Sequence, residues 1–148
     1  MRLAEPLPHI DEHSTEIDAE PTAVWRALER IVFAEPGAPV RVLGRLLGAT
    51  RGELIGFRVA RSELARLLEL EGEHRFSRYR LRFELSEVGG GGTRLTAVTD
   101  AAFPGAKGAV YRTLVIGSRA HVLAVRRILR AVVSSATRTP RRTAPPRP

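Results

Sequence analysis

The sequence predicts an α+β domain, an antiparallel sheet with helices packed on one side. Three observations carry this. From Leu54 to Phe103 the hydrophobic period is close to two, broken by turn signals. A helical pattern opened by Pro21 follows a first strand, and a second, longer one closes the chain. Sequential strands joined by short loops pair antiparallel, and helices of one-sided apolarity then cover one face. The chain has 148 residues, 43% hydrophobic and 27% charged, enough for one core and a small cavity.

The elements follow in order. His9–Asp18 alternates loosely and ends in a turn signal, which predicts a strand. Pro21 suits a first helical position because proline has no N–H to satisfy there. Val24, Trp25, Leu28, Ile31 and Val32 then recur at helical spacing. Glu35-Pro36-Gly37-Ala38-Pro39 breaks this helix, and Val40–Leu47 reads as a second short one. Ile55, Phe57 and Val59 alternate with Gly56, Arg58 and Ala60, and Leu64–Leu70 reads as another strand. Tyr79, Leu81, Phe83 and Leu85 alternate with Arg78, Arg80, Arg82 and Glu84, the cleanest half-buried pattern in the chain. Gly89–Gly92 permits positive φ and predicts a hairpin connection to a returning strand, Thr93–Phe103. Lys107 to about Val133 reads as one long amphipathic helix. At roughly 100° per residue, Val110, Leu114, Val122, Val125, Leu129 and Val132 fall on one face, and Arg112, Arg119, Arg126 and Arg130 on the other.

Composition excludes several functions. No apolar run approaches the roughly 18 residues of a membrane span, so no membrane insertion is expected. The N-terminus lacks a signal-peptide apolar core, and the expected location is cytoplasmic. Without cysteine there is neither a disulfide framework nor thiolate chemistry. The net charge is +8, with 23 arginines and the single lysine Lys107. Arg138, Arg141, Arg142 and Arg147 lie in a proline-rich tail, residues 137–148, which cannot bury enough surface to order itself and reads as disordered and solubilising. Aromatic residues are only 5% of the chain and do not interleave with the arginines, so no stacking platform and no sequence-specific nucleic-acid reading is expected. Gly89–Gly92 joins strands and lacks the helix N-terminus that holds phosphates. No cofactor and no metal is expected.

Ile17-Asp18-Ala19-Glu20-Pro21-Thr22-Ala23-Val24-Trp25-Arg26-Ala27-Leu28, at the strand-to-helix junction, resembles the START-like (SRPBCC) superfamily. This group includes polyketide cyclases, pollen-allergen-type proteins and lipid-transfer domains. His74-Arg75-Phe76-Ser77-Arg78-Tyr79, Phe103-Pro104-Gly105 and Gly117-Ser118-Arg119-Ala120-His121 look like a small bacterial branch of it. The resemblance covers residues 9–135 as a single domain, after an extension of residues 1–8. It implies a helix-grip fold: a curved antiparallel β-sheet wrapped around a long C-terminal α-helix, with a short helix or helix pair after the first strand. It also implies a mostly apolar cavity between sheet and helix. Members bind hydrophobic small molecules or lipids, and a few catalyse cyclisation or hydrolysis. The superfamily has no single catalytic motif, so the catalytic residues stay unknown. The segment between Leu28 and Leu54 is short for the family, which implies fewer strands or a reduced lid.

Candidate site residues follow from polarity on apolar faces. His121, Ser118 and Tyr111 sit inside the apolar face of the long helix. His121 could bond a ligand oxygen or act as a base; as a core histidine it would bond a backbone carbonyl or Tyr79. Tyr79, Phe83 and Trp25 are apolar-face aromatics. Leu95, Ala97, Thr99, Ala101 and Phe103 share one strand face whose small centre gives either close packing or space. Arg58 is expected on the exposed side of its strand. His9, Asp11 and His13, two apart, would share one strand face and could bind a divalent metal, but a solvated strand start is the expected reading. Ile116 and Leu123 at the edge of the arginine row leave room for a homodimer or partner surface. Three functions remain, in this order: binding of a hydrophobic small molecule or lipid-like ligand, a cyclase or aromatase using the same cavity, and a non-catalytic interaction module whose arginine face meets an acidic partner.

Overall fold

The longest hairpin organises the molecule. In the computed structural model, which describes residues 6–34, 57–74, 77–113, 117 and 119–138, it pairs β4 (Ser77–Val88) with β5 (Gly92–Ala102). Gly90 and Gly91 make the connection at φ +83° and +81°, a region that residues with a Cβ enter only at a cost. On β4 the expected alternation holds: Leu81, Phe83 and Leu85 are buried. Arg80, Arg82 and Glu84 project from the opposite face.

On one side β5 pairs with β1 (His9–Ile17); on the other, β4 pairs with β3 (Leu67–His74), which pairs with β2 (Phe57–Glu63). All four pairings are antiparallel, in the order β1-β5-β4-β3-β2. The strand read as Leu64–Leu70 needs correction. Leu64 lies in the β2–β3 turn, 77% exposed, and β3 begins at Leu67. The turn contains neither Gly nor Pro. Ala65 takes the left-handed conformation itself (φ +55°), while Arg66 N donates to Glu63 O. The outer face carries an ion-pair lattice: Glu71 accepts from Arg58 at 3.0 Å and from Arg80 Nη2 at 2.6 Å. The Glu71 hydrogen bond raises the pKa of Arg80 above its ordinary value, against the opposing effect of burial.

Helix α1 (Pro21–Val32) starts with proline at its first turn, as expected, and buries Val24, Trp25, Ala27, Leu28 and Val32. Its entry is fixed where Thr93 Oγ1 donates to Ala19 O at 2.7 Å.

The single long C-terminal helix is also corrected: among the described residues, α2 (Gly105–Arg112) and α3 (Ala120–Thr137) stand in its place. Arg119, immediately before α3, is left-handed (φ +57°, ψ +16°), so a right-handed helix cannot pass through it. Leu123 N donates to Arg119 O to open α3. Val125, Leu129 and Val132 are buried as expected, joined by Ala136, but Val110 on α2 is 64% exposed. Arg112, Arg119, Arg126 and Arg130 are exposed. Helix α3 packs on α1 and touches β1 and β5. Phe83, Leu95, Ala97, Leu68, Ile17 and Leu28 form the centre of the core beneath the two helices. The readings for residues 40–47, 54–56, 114, 116 and 139–148 lie outside the described residues. Among the described residues no helix is long and apolar enough to cross a membrane.

Candidate functional site: a carboxylate shared by two histidines

Rows of side chains cross the helix-facing side of the sheet where β1 begins. In register, His13 stands beside Ala97, Phe83 and Leu68, and Asp11 beside Thr99, Leu81 and Leu70. Ala101, Tyr79 and Gly72 form the next row. The middle strands supply apolar groups, and the β1 edge supplies polar ones.

Strand parity explains the edge. Ile17 is 1% exposed, so residues two, four and six places before it share its inward side. His13 and Asp11 are therefore turned to the helices, each with a side chain only 19% exposed. The expected solvated strand start is corrected for both. His9 does not join them. The register slips between His9 and Asp11, and His9 turns outward, 58% exposed, with Nδ1 3.4 Å from Asp100 Oδ1.

The third member comes from α3. His121 is 14% exposed and its Nε2 lies 2.8 Å from Asp11 Oδ2. That oxygen is also 3.3 Å from His13 Nε2. One partner of His121 is thus a carboxylate 110 residues away. An ionised carboxylate only accepts hydrogen bonds, so with Asp11 charged both Nε2 atoms donate to it and both ring orientations are set. Asp11 Oδ1 is buried with no hydrogen-bond partner among the described residues. So is Thr99 Oγ1, on the residue paired directly with Asp11, and so is Ser77 Oγ near the same end of β4.

The remaining candidates separate. Tyr79 is half-buried, its ring edge-on to Phe57 with centroids 4.5 Å apart. Phe83 (0% exposed) and Trp25 (2%) are packed in the core. Tyr111 lies in α2, but its side chain, like the whole of Ser118, is outside the described residues. Arg58 is on the exposed side, paired with Glu71. A cleft of about 380 Å³ opens at the same end of the sheet, lined by Pro8, Ile10, Ala101, Phe103 and Ala109 among others.

The architecture, a five-stranded antiparallel sheet with a helix after its first strand and a closing C-terminal helix, is that of solved structures. A conserved protein from Geobacillus kaustophilus superimposes with a TM-score of 0.54 at 15% identity, over 86% of this chain and 95% of that one. The Zhui aromatase/cyclase from Streptomyces sp. R1128 superimposes at 0.53 and 15% identity, over 92% and 97%. This chain has a helix-grip fold. The resemblance at Ile17–Leu28 therefore holds at the level of the fold. No family model and no curated relative matches the sequence. In a helix-grip fold the side of the sheet that meets the C-terminal helix is the inner one; Asp11, His13 and Thr99 belong to it, and His121 meets it from α3.

Proposed function

We propose that the chain binds a hydrophobic small molecule between sheet and C-terminal helix, and reads one hydrogen-donating group on it through Asp11 and Thr99. The supporting observation is the pair of buried, unpartnered oxygens, Asp11 Oδ1 and Thr99 Oγ1, on directly paired residues. Leaving a buried polar atom unsatisfied costs about 1–3 kcal/mol, and two side by side argue for an external partner. Because Asp11 Oδ2 already accepts from two imidazoles, the carboxylate is fixed in place and its second oxygen is aimed. An acceptor of this kind selects an O–H or N–H donor, such as a phenolic or alcoholic hydroxyl. Leu81 and Leu70 in the same row and Tyr79 in the next supply apolar contact.

Titration of the full chain with 2-naphthol and with naphthalene, followed by displacement of an apolar dye, tests this reading. The hydroxylated probe is expected to bind at least tenfold more tightly, and Thr99→Val to reduce that preference. If neither probe displaces the dye, the binding reading fails.

A second reading is acid–base catalysis of the cyclase or aromatase type, in keeping with the fold shared with the Zhui aromatase/cyclase. The observation that favours it is the carboxylate-oriented pair of partly buried imidazoles. An imidazole would remove a proton beside a carbonyl that Tyr79 orients. A positioned base contributes about 10²–10⁴-fold. Conversion of a poly-β-ketone to an aromatic product, followed by absorbance, should fall by that factor in His121→Ala. No conversion by the unaltered chain sinks the catalytic reading and leaves the binding one intact.

A further inference from the structure

We propose that the groove between the ends of α1 and α3 is an oxyanion site that takes a phosphate ester or diphosphate group. The groove is an open concavity of about 670 Å³, lined by the side chains of Arg30, Arg127, Arg130 and Arg138, with Ser134 and Ser135. It is built from residues that take no part in the Asp11–His13–His121 site. On α3 the lining positions recur at three- and four-residue spacing, which brings them onto one stripe facing the end of α1.

Three features separate this groove from an ordinary solvated face. The first is charge balance. On the sheet, Arg58, Arg80, Arg82 and Arg94 each pair with a Glu or Asp. Among the described residues, no carboxylate pairs with any of the four arginines of the groove. Four like charges converging on one concavity repel each other, and an anion between them relieves the repulsion.

The second feature is preorganisation. Arg30 Nη2 donates to Ser135 Oγ at 3.0 Å, and Arg138 Nε donates to Ser134 O at 2.9 Å. Two long side chains are thereby held in place before any ligand arrives, which lowers the entropic cost of binding. Ser135 Oγ accepts from Arg30, so its hydroxyl proton is left to donate to an acceptor in the groove. Guanidinium groups present paired N–H donors that match phosphate oxygens, and a serine O–H adds a further donor.

The third feature is position. Arginines near a helix C-terminus offset the helix dipole, which accounts for Arg138 and Arg30 beside the ends of α3 and α1. That effect fades beyond the last turn. Arg127 and Arg130 lie well before Thr137, where α3 ends, so the dipole gives no reason for them. Both are exposed, so replacing them leaves the core untouched.

The test uses the full chain with inorganic pyrophosphate, followed by titration calorimetry at roughly 0.15 M salt, where the Debye length is about 8 Å. Saturable binding is expected, weakened at least tenfold in Arg127→Gln/Arg130→Gln. It should change less than twofold in Arg126→Gln, outside the groove, and in Arg141→Gln/Arg142→Gln, in the basic tail. A second arm measures cosedimentation with phosphatidylcholine vesicles, with and without phosphatidic acid. Groove-dependent binding to pyrophosphate alone assigns a free phosphate compound, and groove-dependent binding to the acidic vesicles alone assigns a lipid headgroup. Binding to neither probe overturns the proposal, as does binding that follows the tail arginines and ignores Arg127 and Arg130.

Discussion

Thr99 and Asp11 face each other across the β1–β5 pairing, each with a buried oxygen that has no hydrogen-bond partner among the described residues. Side chains retained at such a cost are informative, because a valine would fill the space of Thr99 without it. Thr99→Val should therefore raise the stability of the unliganded chain by about 1 kcal/mol, read as a shift in urea midpoint at constant slope, while reducing the preference for a hydroxylated ligand. A loss of stability would mean that the hydroxyl is satisfied, and the selection argument would fail with it. Part of this site was legible in the sequence and part was not. His121 and Thr99 stand out as polar residues on apolar faces. Asp11 and His13 could have been placed inward by counting back in twos from Ile17. The same count puts His9 inward as well, and only the register slip beside it removes it. The bond between Asp11 and His121 joins the first strand to the last helix, and no local pattern encodes a contact across that separation.

At the scale of elements, periodicity located the strands and α1, while backbone conformation set the places where expectation and structure differ. A run of glycines announced the β4–β5 hairpin. Gly90→Ala forces a Cβ into the left-handed region and should cost about 1–2 kcal/mol, measured by equilibrium denaturation. The β2–β3 turn gives no such signal, because Leu64-Ala65-Arg66 has neither glycine nor proline. The reversal is made by Ala65 in the same left-handed region. Ala65→Gly should therefore stabilise the chain or leave it unchanged, the relief of about 1 kcal/mol offset by the added freedom of the unfolded glycine. A clear destabilisation would show that the turn conformation is wrong. The break between α2 and α3 escaped the sequence reading for the same reason: apolar spacing runs through it, and the reversal of φ falls on an arginine.

Across the whole molecule, the inner face divides into a sealed part and a polar part. Phe83, Leu95 and Ala97 are 0% exposed beneath the two helices, and Val125, Leu129 and Val132 close the seam from α3. Removing the Phe83 ring should cost about 3–5 kcal/mol, and Phe83→Ala is expected to unfold at markedly lower urea concentration. Toward the first residue of α3 the same interface carries the shared carboxylate and the unpartnered oxygens beside the buried Leu81 and Leu70. This asymmetry predicts how a ligand acts on global stability. A ligand held only by the native state, at a hundredfold excess over its Kd, stabilises by about 2.7 kcal/mol. For a domain of this size that corresponds to a rise in Tm of roughly 5–10 °C, since each kcal/mol moves the midpoint about 2–4 °C. With 2-naphthol and naphthalene compared at equal free concentration, the hydroxylated probe should give the larger rise. The difference should shrink in Thr99→Val and in Asp11→Leu, because each removes one of the acceptors. Equal rises for the two probes in the unaltered chain would mean that apolar burial alone holds the ligand. The polar end would then be a structural tie between β1 and α3, and His121→Ala should lower the Tm of the unliganded chain without changing the ligand-induced shift.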